Sequence, residues 1–132
     1  MTRTIHVDQF LPHPPARVWR AITTPAELAR WWVPGDISIT LGETFLLEMP
    51  GWGNIACTVL DVEPPERLVY TFGDWTLTWR LRPEGHGTRL FLEHSGFDPE
   101  RPDHQFAFDN MGPGWRDEIL PRLGALLDTA GG

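Results

Sequence analysis

Alternating apolar and polar residues between Gly53 and Gly96 are typical of β-strands with one buried face. Short turns separate four such segments, which span Asn54 to Val62, Arg67 to Phe72, Trp75 to Arg82 and Arg89 to Ser95. Connections of this length join neighbouring antiparallel strands. The pattern therefore predicts consecutive hairpins in one sheet.

The turn lengths also predict which residues face each other across the strands. A two-residue turn at Gly73-Asp74 places Phe72 opposite Trp75 and Tyr70 opposite Leu77. The other two turns extend the same register, which gives one buried face consisting of Cys57, Val59, Leu68, Tyr70, Phe72, Trp75, Leu77, Trp79, Leu81, Leu90, Leu92 and His94. The opposite face is polar and carries Thr71, Thr76, Thr78, Arg80, Arg82, Arg89 and Glu93.

The segment before these strands, Thr44 to Met49, is a further strand with two possible orientations. A loop at Pro50 to Trp52 turns Phe45, Leu47 and Met49 inward, whereas a loop longer by one residue turns Leu46 and Glu48 inward. We favour the first orientation because it buries apolar side chains.

The N-terminal part of the chain predicts one strand and two short helices. Alternation from Thr4 to Leu11 indicates a half-buried strand. Helical spacing of apolar residues predicts a helix over Pro15 to Thr23. Thr24-Pro25-Ala26-Glu27 is typical of a capping box in which Glu27 reaches back to the cap amide, and the helix that it begins ends before Pro34.

The C-terminal part predicts a loop followed by one helix. Phe97 to Gly114 is rich in Pro, Asp and Gly and is interpreted as a loop or short helical turn that crosses a pocket mouth. The helix over Gly114 to Thr129 presents an apolar stripe, and Pro121 within it predicts a kink. The stripe consists of Trp115, Ile119, Leu123, Leu126 and Leu127, and residues 130–132 are expected to fray.

Together these elements predict a single α+β domain over residues 1–132. A curved antiparallel sheet of about six to seven strands would wrap around the long C-terminal helix, with two short helices after the first strand. Such a sheet and helix enclose a cavity between them.

The composition narrows the range of partners. The chain has a net charge of -7, and all 11 basic residues are Arg, so a polyanion such as nucleic acid is disfavoured. Cys57 is a lone cysteine, which suits a reducing compartment. The sequence contains neither a signal peptide nor an apolar run of the roughly 20 residues that span a membrane, and we expect a cytoplasmic protein.

Five short segments resemble one known family. The order of elements resembles the helix-grip fold of START and birch-pollen-allergen proteins (the SRPBCC superfamily). The segments themselves are similar to the activator of heat-shock protein 90 ATPase homologue-like family, and they are Val18-Trp19-Arg20-Ala21-Ile22, Trp31-Trp32-Val33-Pro34, Glu63-Pro64-Pro65-Glu66-Arg67-Leu68, Thr88 to Phe97 and Gly114-Trp115. The resemblance implies a hydrophobic cavity under the long helix.

His94 is the inward residue that titrates nearest to neutral pH. It would either bind a polar group of a ligand or, in a purely structural role, bond to the backbone near the helix. The residues that we expect to contact a ligand line the predicted inner face and the helix, and they are Trp32, Phe45, Leu47, Tyr70, Phe72, Trp75, Leu77, Trp79, Leu92, His94, Phe97, Ile119 and Leu123. No motif for a cofactor, a metal or a serine nucleophile is found.

Three functions are compatible with this pattern. The first is binding of a small apolar or aromatic molecule between the sheet and the C-terminal helix. The second is a cyclase or aromatase activity in which His94, with Glu48 as a partner if it faces inward, moves protons. The third is a co-chaperone or stress-response module that binds a chaperone. The sequence leaves the catalytic question open, and it allows either a monomer or a homodimer.

Overall fold

Six strands and four α-helices make up the computed structural model, which describes residues 1–129. The predicted fraying of residues 130–132 lies outside the described residues. In chain order the elements are β1 (Arg3–Leu11), α1 (Pro15–Thr23), α2 (Pro25–Trp31), β2 (Thr44–Met49), β3 (Gly53–Glu63), β4 (Arg67–Phe72), β5 (Trp75–Glu84), β6 (Gly87–Phe97), α3 (Pro102–Gly114), a π-helical turn (Trp115–Ile119) and α4 (Leu120–Thr129).

The strands form one curved antiparallel sheet in the order β1-β6-β5-β4-β3-β2. The sheet wraps around the C-terminal helix, and α1 and α2 follow the first strand. The predicted α+β architecture is therefore confirmed, with six strands.

The register of the central hairpins is the predicted one. Phe72 pairs with Trp75 and Tyr70 with Leu77, while His94 pairs with Leu77 from the other side of β5. The first hairpin also follows the favoured orientation, because Met49 pairs with Gly53 and Phe45 and Leu47 are buried. The alternative that turned Leu46 and Glu48 inward is wrong, since both side chains are exposed.

The connection between β3 and β4 differs from the prediction by one residue. Glu63 pairs with Arg67, so the loop is one residue shorter than expected. A bulge between Val59 and Asp61 absorbs Leu60 and restores the predicted pairing of Val59 with Tyr70. The two deviations cancel, and the apolar side chains of β3 stay on the buried face.

The start of α2 at Pro25 is as predicted, but the capping box is wrong in its contacts. The Thr24 side chain makes no cap hydrogen bond, and the Thr24 backbone N–H donates to the carbonyl of Arg20. The Glu27 carboxylate instead binds Arg17 and Arg20 of the preceding helix. Charge-assisted hydrogen bonds to two guanidinium groups are stronger than one bond to a cap amide.

The prediction of a loop or short helical turn from Phe97 to Gly114 is wrong, because most of this segment is helix α3. Pro102 occupies the first turn, where a missing N–H has no cost, so this proline does not prevent the helix from starting, and Pro113 lies inside the helix near its end. Helix α3 continues through the π-helical turn into α4, which makes one long C-terminal helix from Pro102 to Thr129.

A π-helical turn precedes Pro121, in the region where the sequence predicts a kink. The backbone N–H of Leu120 donates to the carbonyl of Trp115, five residues earlier. The extra residue in this turn rotates the following helix, so that Leu120 is buried and Ile119 is only half-buried. The predicted core stripe is otherwise confirmed at Trp115, Leu123, Leu126 and Leu127.

Within residues 1–129, no helix is long and apolar enough to cross a membrane.

Candidate functional site

A cavity of about 450 Å³ opens between the inner face of the sheet and the C-terminal helix. The sheet contributes Phe72 and His94, and the β2–β3 hairpin contributes a rim. Helix α3 and the π-helical turn form the opposite wall. The lining residues are Trp32, Met49, Pro50, Trp52, Phe72, His94, Phe106, Ala107, Asn110, Met111, Gly114, Trp115, Glu118 and Ile119.

Two aromatic side chains stand in solvent at the mouth of the cavity. Trp52, in the β2–β3 hairpin, is 56% exposed, and Phe106, on α3, is 65% exposed. Large apolar side chains this exposed gain nothing from the core, so their place at a cavity mouth is consistent with contact to a bound molecule. Asn110 and Glu118 add polar groups to the same wall.

Two tryptophans, Trp32 and Trp115, line the cavity, and Trp31 and Trp79 of the core pack against them. We refer to these four residues as the tryptophan cluster. The ring centroids of Trp32 and Trp115 are 5.0 Å apart, and those of Trp79 and Trp115 are 5.6 Å apart. Trp31 packs edge-on against Trp79 at 6.1 Å. These separations are typical of favourable aromatic packing, so the cluster forms a rigid wall.

His94 lies in the wall of the cavity and is fully buried. Its ring packs against Phe97 at 4.7 Å and against Phe72 at 5.7 Å between centroids. The indole Nε1 of Trp115 donates a hydrogen bond to His94 Nδ1 over 3.0 Å. The sequence predicted an inward His94, but the partner is an indole side chain rather than the backbone.

This hydrogen bond fixes the tautomer of His94. An indole N–H can only donate, so Nδ1 accepts, and the neutral ring carries its proton on Nε2. Burial lowers the pKa of His94 from 6.5 to about 3, so the ring is neutral at physiological pH. The Nε2 atom is buried and has no partner among the described residues. An unsatisfied buried donor costs about 1–3 kcal/mol, which an acceptor on a ligand would recover.

His104 fastens the start of α3, the helical wall of the cavity, to the sheet. The backbone N–H of Asp98 donates to His104 Nδ1 over 3.0 Å, and His104 Nε2 lies 3.2 Å from Asp74 Oδ2. The His104 ring also packs against Trp75, with centroids 5.2 Å apart. These contacts hold α3 against the β4–β5 turn.

The thirteen predicted ligand-contacting residues fall into three groups. Four of them line the cavity, namely Trp32, Phe72, His94 and Ile119. Trp75 borders a small adjoining hollow that shares Phe72 and Met111 with the cavity. The remaining eight lie in the packed core instead, and they are Phe45, Leu47, Tyr70, Leu77, Trp79, Leu92, Phe97 and Leu123.

The sequence prediction missed the cavity residues Phe106, Ala107, Asn110 and Met111 of α3, because it interpreted that segment as a loop, and it assigned Trp115 of the following turn to the core stripe. Ala107, Met111, Trp115 and Glu118 recur at intervals of three to four residues, which is the spacing of one helical face. That spacing is the signal that could have identified the wall. The β2–β3 hairpin residues Pro50 and Trp52 carry no comparable signal.

Other candidate groups do not form a site. Burial raises the pKa of the Cys57 thiol to about 12, which makes it an inert core residue. Glu48 faces outward and cannot assist His94. Within residues 1–129, no group of three or more His, Cys, Asp or Glu side chains is placed to hold a metal ion.

Comparison with known proteins identifies close structural relatives. Protein MLL2253 from Mesorhizobium loti is 33% identical, with a TM-score of 0.87 over 96% of this chain and 98% of that one. CalU16 from Micromonospora echinospora is 30% identical, with a TM-score of 0.79 over 98% and 79%. DynU16, a protein in the dynemicin biosynthetic locus, is 26% identical, with a TM-score of 0.81 over 96% and 48%. No curated protein matches the sequence.

The family model described as "Activator of Hsp90 ATPase homolog 1-like protein" matches residues 12–128. This match spans α1, α2, the sheet from β2 to β6 and nearly all of the C-terminal helix. It confirms the resemblance drawn from the five short segments. The chain therefore belongs to the Activator of Hsp90 ATPase homolog 1-like protein family and has its helix-grip fold.

Proposed function

We propose that this protein binds a small apolar or aromatic molecule in the cavity, and that the His94 Nε2–H donates a hydrogen bond to an acceptor atom on it. The observation that carries the proposal is that His94 lines a mainly apolar cavity and that its Nε2 donor has no partner among the described residues. Binding pockets of this kind combine apolar walls with a few polar groups that fix orientation.

The size and walls of the cavity define the ligand further. Its volume of about 450 Å³ lies in the range of roughly 300–1,000 Å³ that holds drug-sized molecules. Trp32, Phe72 and Trp115 offer aromatic surfaces to a planar ring. A carbonyl or phenolic oxygen on that ring would accept the hydrogen bond from His94.

One further fact supports a small-molecule ligand, and another supports a location in the cell interior. DynU16 has the same fold and lies in a biosynthetic locus for dynemicin, which is the setting of small-molecule chemistry. Cys57 is a free buried thiol with no second cysteine to pair with, and a cytoplasmic location is part of the proposal.

The alternative functions receive less support from the geometry. A cyclase or aromatase would need His94 to accept a proton near neutral pH. Its Nδ1 is already engaged by Trp115, and its pKa is lowered to about 3. Activation of a heat-shock protein 90 stays a prediction from the family resemblance, and a pull-down with the host chaperone at micromolar concentration would test it.

A matched pair of variants at Gly114 tests the proposal. Gly114 lines the cavity in a helical conformation, and a Cβ placed there would meet no atom within 4 Å. Gly114→Leu should therefore fill the cavity without disturbing the core, whereas Gly114→Ala adds a single methyl group. We expect flavonoids, sterols, fatty acids or polyketides that raise the melting temperature of the wild type to do so for Gly114→Ala but not for Gly114→Leu.

The proposal fails if no compound of these classes binds, or if Gly114→Leu binds them as tightly as Gly114→Ala. NMR of the imidazole gives an independent measurement. A ligand that accepts the hydrogen bond should shift the Nε2–H resonance of His94, whereas a ligand that binds elsewhere should leave it unchanged.

A further inference from the structure

Four arginines lie together on the outer face of the sheet, opposite the face that borders the cavity. Arg67 pairs directly with Arg80 across β4 and β5, and Arg82 pairs directly with Arg89 across β5 and β6. Like charges directly opposite each other destabilise a sheet. Two directly opposed Arg pairs in adjacent rows of the sheet are therefore unfavourable for the fold, and a surface that keeps them is a candidate functional surface.

Carboxylates offset the charge of only two of these arginines. Arg67 binds Asp61 and Glu63, and Arg89 binds Asp8 and Glu84. Within residues 1–129, no carboxylate lies within salt-bridge distance of Arg80 or Arg82. In the part of the chain that the structure describes, two neighbouring cations thus have no carboxylate partner, although the net charge is -7.

The two free arginines border a groove of about 290 Å³. Its exposed apolar lining comes from Pro83 and Phe91, and the Arg82 guanidinium lies 5.7 Å from the Phe91 ring centroid. Glu66 and Arg67 complete the lining from the side of β4. The groove therefore offers the apolar surface of Phe91 beside two guanidinium groups that have no carboxylate partner among the described residues.

We propose that this groove, which we call the arginine groove, binds an acidic extended segment of a partner protein. Arg80 and Arg82 are two residues apart on one strand, so their side chains leave the same face about 7 Å apart. Carboxylates at alternate positions of an extended peptide have the same spacing and can each meet one guanidinium. An apolar side chain two residues further along would contact Phe91.

The charge around the arginine groove excludes longer polyanions. Asp8, Asp61, Glu63 and Glu84 lie beside it through their bonds to Arg67 and Arg89. A nucleic acid strand would bring phosphates against these carboxylates, whereas a peptide with two acidic residues would not. The chemistry of the site thus selects a short acidic segment.

A synthetic peptide pair tests the inference. The probe is acetyl-Gly-Leu-Gly-Glu-Gly-Glu-Gly-amide, and the control replaces both Glu residues with Gln. We expect the probe to shift the amide resonances around Arg80, Arg82 and Phe91 in the ¹⁵N-labelled protein, and the shifts should weaken as salt rises. The control peptide should cause no such shifts.

Charge-matched variants of the protein sharpen this test. Arg80→Gln/Arg82→Gln should weaken binding of the probe about tenfold, the sum of two exposed charge pairs. Arg30→Gln/Arg122→Gln removes the same charge from exposed positions on α2 and α4 and should leave the affinity nearly unchanged. Glu66→Gln removes the carboxylate that lines the groove and should tighten binding.

Three results would overturn the inference. These are equal binding of the Glu and Gln peptides, equal weakening by the two double variants, and shifts of the same size with inorganic phosphate at the probe's concentration. The last result would identify a general anion site instead. None of them bears on the cavity, whose ligand screen is a separate measurement.

Discussion

The inner face of the sheet has a packed half and an open half, and both are rich in aromatic side chains. In the packed half, Trp79 Nε1 donates to the Tyr70 hydroxyl over 3.1 Å, and Trp31 of α2, which packs against Trp79, donates from Nε1 to the carbonyl of Ala21 over 2.9 Å. In the open half, the nitrogens His94 Nε2 and Trp75 Nε1 are buried and have no partner within residues 1–129. The two rings lie 5.6 Å apart beside the cavity or its adjoining hollow.

The difference shows that hydrophobicity alone does not separate a core from a binding site. Both halves bury tryptophan and phenylalanine, and both belong to one continuous face. What distinguishes them is whether the buried ring nitrogens on that face find a partner among the described residues, because unsatisfied donors are rare in packed cores. The four predictions that follow test this distinction.

The largest effect is expected from a truncation in the packed half. Trp79→Ala removes a fully buried ring from the tryptophan cluster and should lower the free energy of unfolding by about 4 kcal/mol. Phe106→Ala, at the exposed mouth of the open half, should change it by less than about 0.5 kcal/mol. Urea denaturation measures both values. Similar losses for the two variants would mean that the mouth is part of the core.

Acid should destabilise the protein through His94. Its pKa in the folded state is lowered to about 3, so below pH 6.5 the unfolded chain binds a proton that the folded chain does not bind. The free energy of unfolding should therefore fall as the pH decreases from 6.5 towards 3, by about 3 kcal/mol at pH 4.5. Urea denaturation at pH 7.5 and at pH 4.5 measures this loss.

His94→Gln serves as the control, because glutamine does not titrate but can still accept from Trp115. The comparison with the wild type cancels the titration of all other groups. The loss of unfolding free energy between pH 7.5 and pH 4.5 should be smaller in His94→Gln than in the wild type by about 3 kcal/mol. If both proteins lost stability equally, His94 would not be the buried neutral group described above.

Tyr70→Phe tests the satisfied polar pair of the packed half. The variant removes the acceptor of the buried Trp79 Nε1 donor and should lower the free energy of unfolding by about 2 kcal/mol. Trp79→Phe and the double variant complete a thermodynamic cycle, in which the second substitution should recover part of that loss. Additive losses would mean that the hydrogen bond contributes nothing.

The smallest effect is a stabilisation in the open half. Gly114→Ala should raise the free energy of unfolding by about 0.5–1 kcal/mol, because Gly114 is helical and a Cβ would meet only open space. Ala21→Leu adds volume at a fully buried position and should instead lower the free energy of unfolding by about 1–3 kcal/mol. Thermal denaturation of both variants checks the contrast.

The strands and their register could be predicted from the sequence because the signals for them are local. Each turn between Gly53 and Gly96 fixes the pairing of its own strands, and the apolar pattern agrees with all of them. The bulge at Leu60 could not be seen, since the shorter loop at Pro64 to Glu66 cancels its effect on the register.

Helix α3 and the division between cavity and core depend on contacts that sequence patterns do not contain. The segment around His104 forms a helix that is held by hydrogen bonds of His104 to Asp74 and Asp98. Asp74 is distant in sequence, so the Pro, Asp and Gly pattern of the segment does not reveal this contact. An inward tryptophan looks the same in a pattern whether it fills the core, as Trp79 does, or borders a cavity, as Trp32 does. Only the packing of all seven tryptophans decides between these outcomes.

Because a π-helical turn joins α3 to α4, the deletion or insertion of a residue in it can change which side chains line the cavity. Removing one residue from Trp115–Ile119 would convert the turn to regular α-helix and rotate α3 by about 100° relative to α4. The residues facing His94 would then be replaced as a set, while α4 kept its contacts with the core. A single-codon deletion or insertion in this turn is thus a route by which one scaffold can exchange the entire helical wall of its binding site.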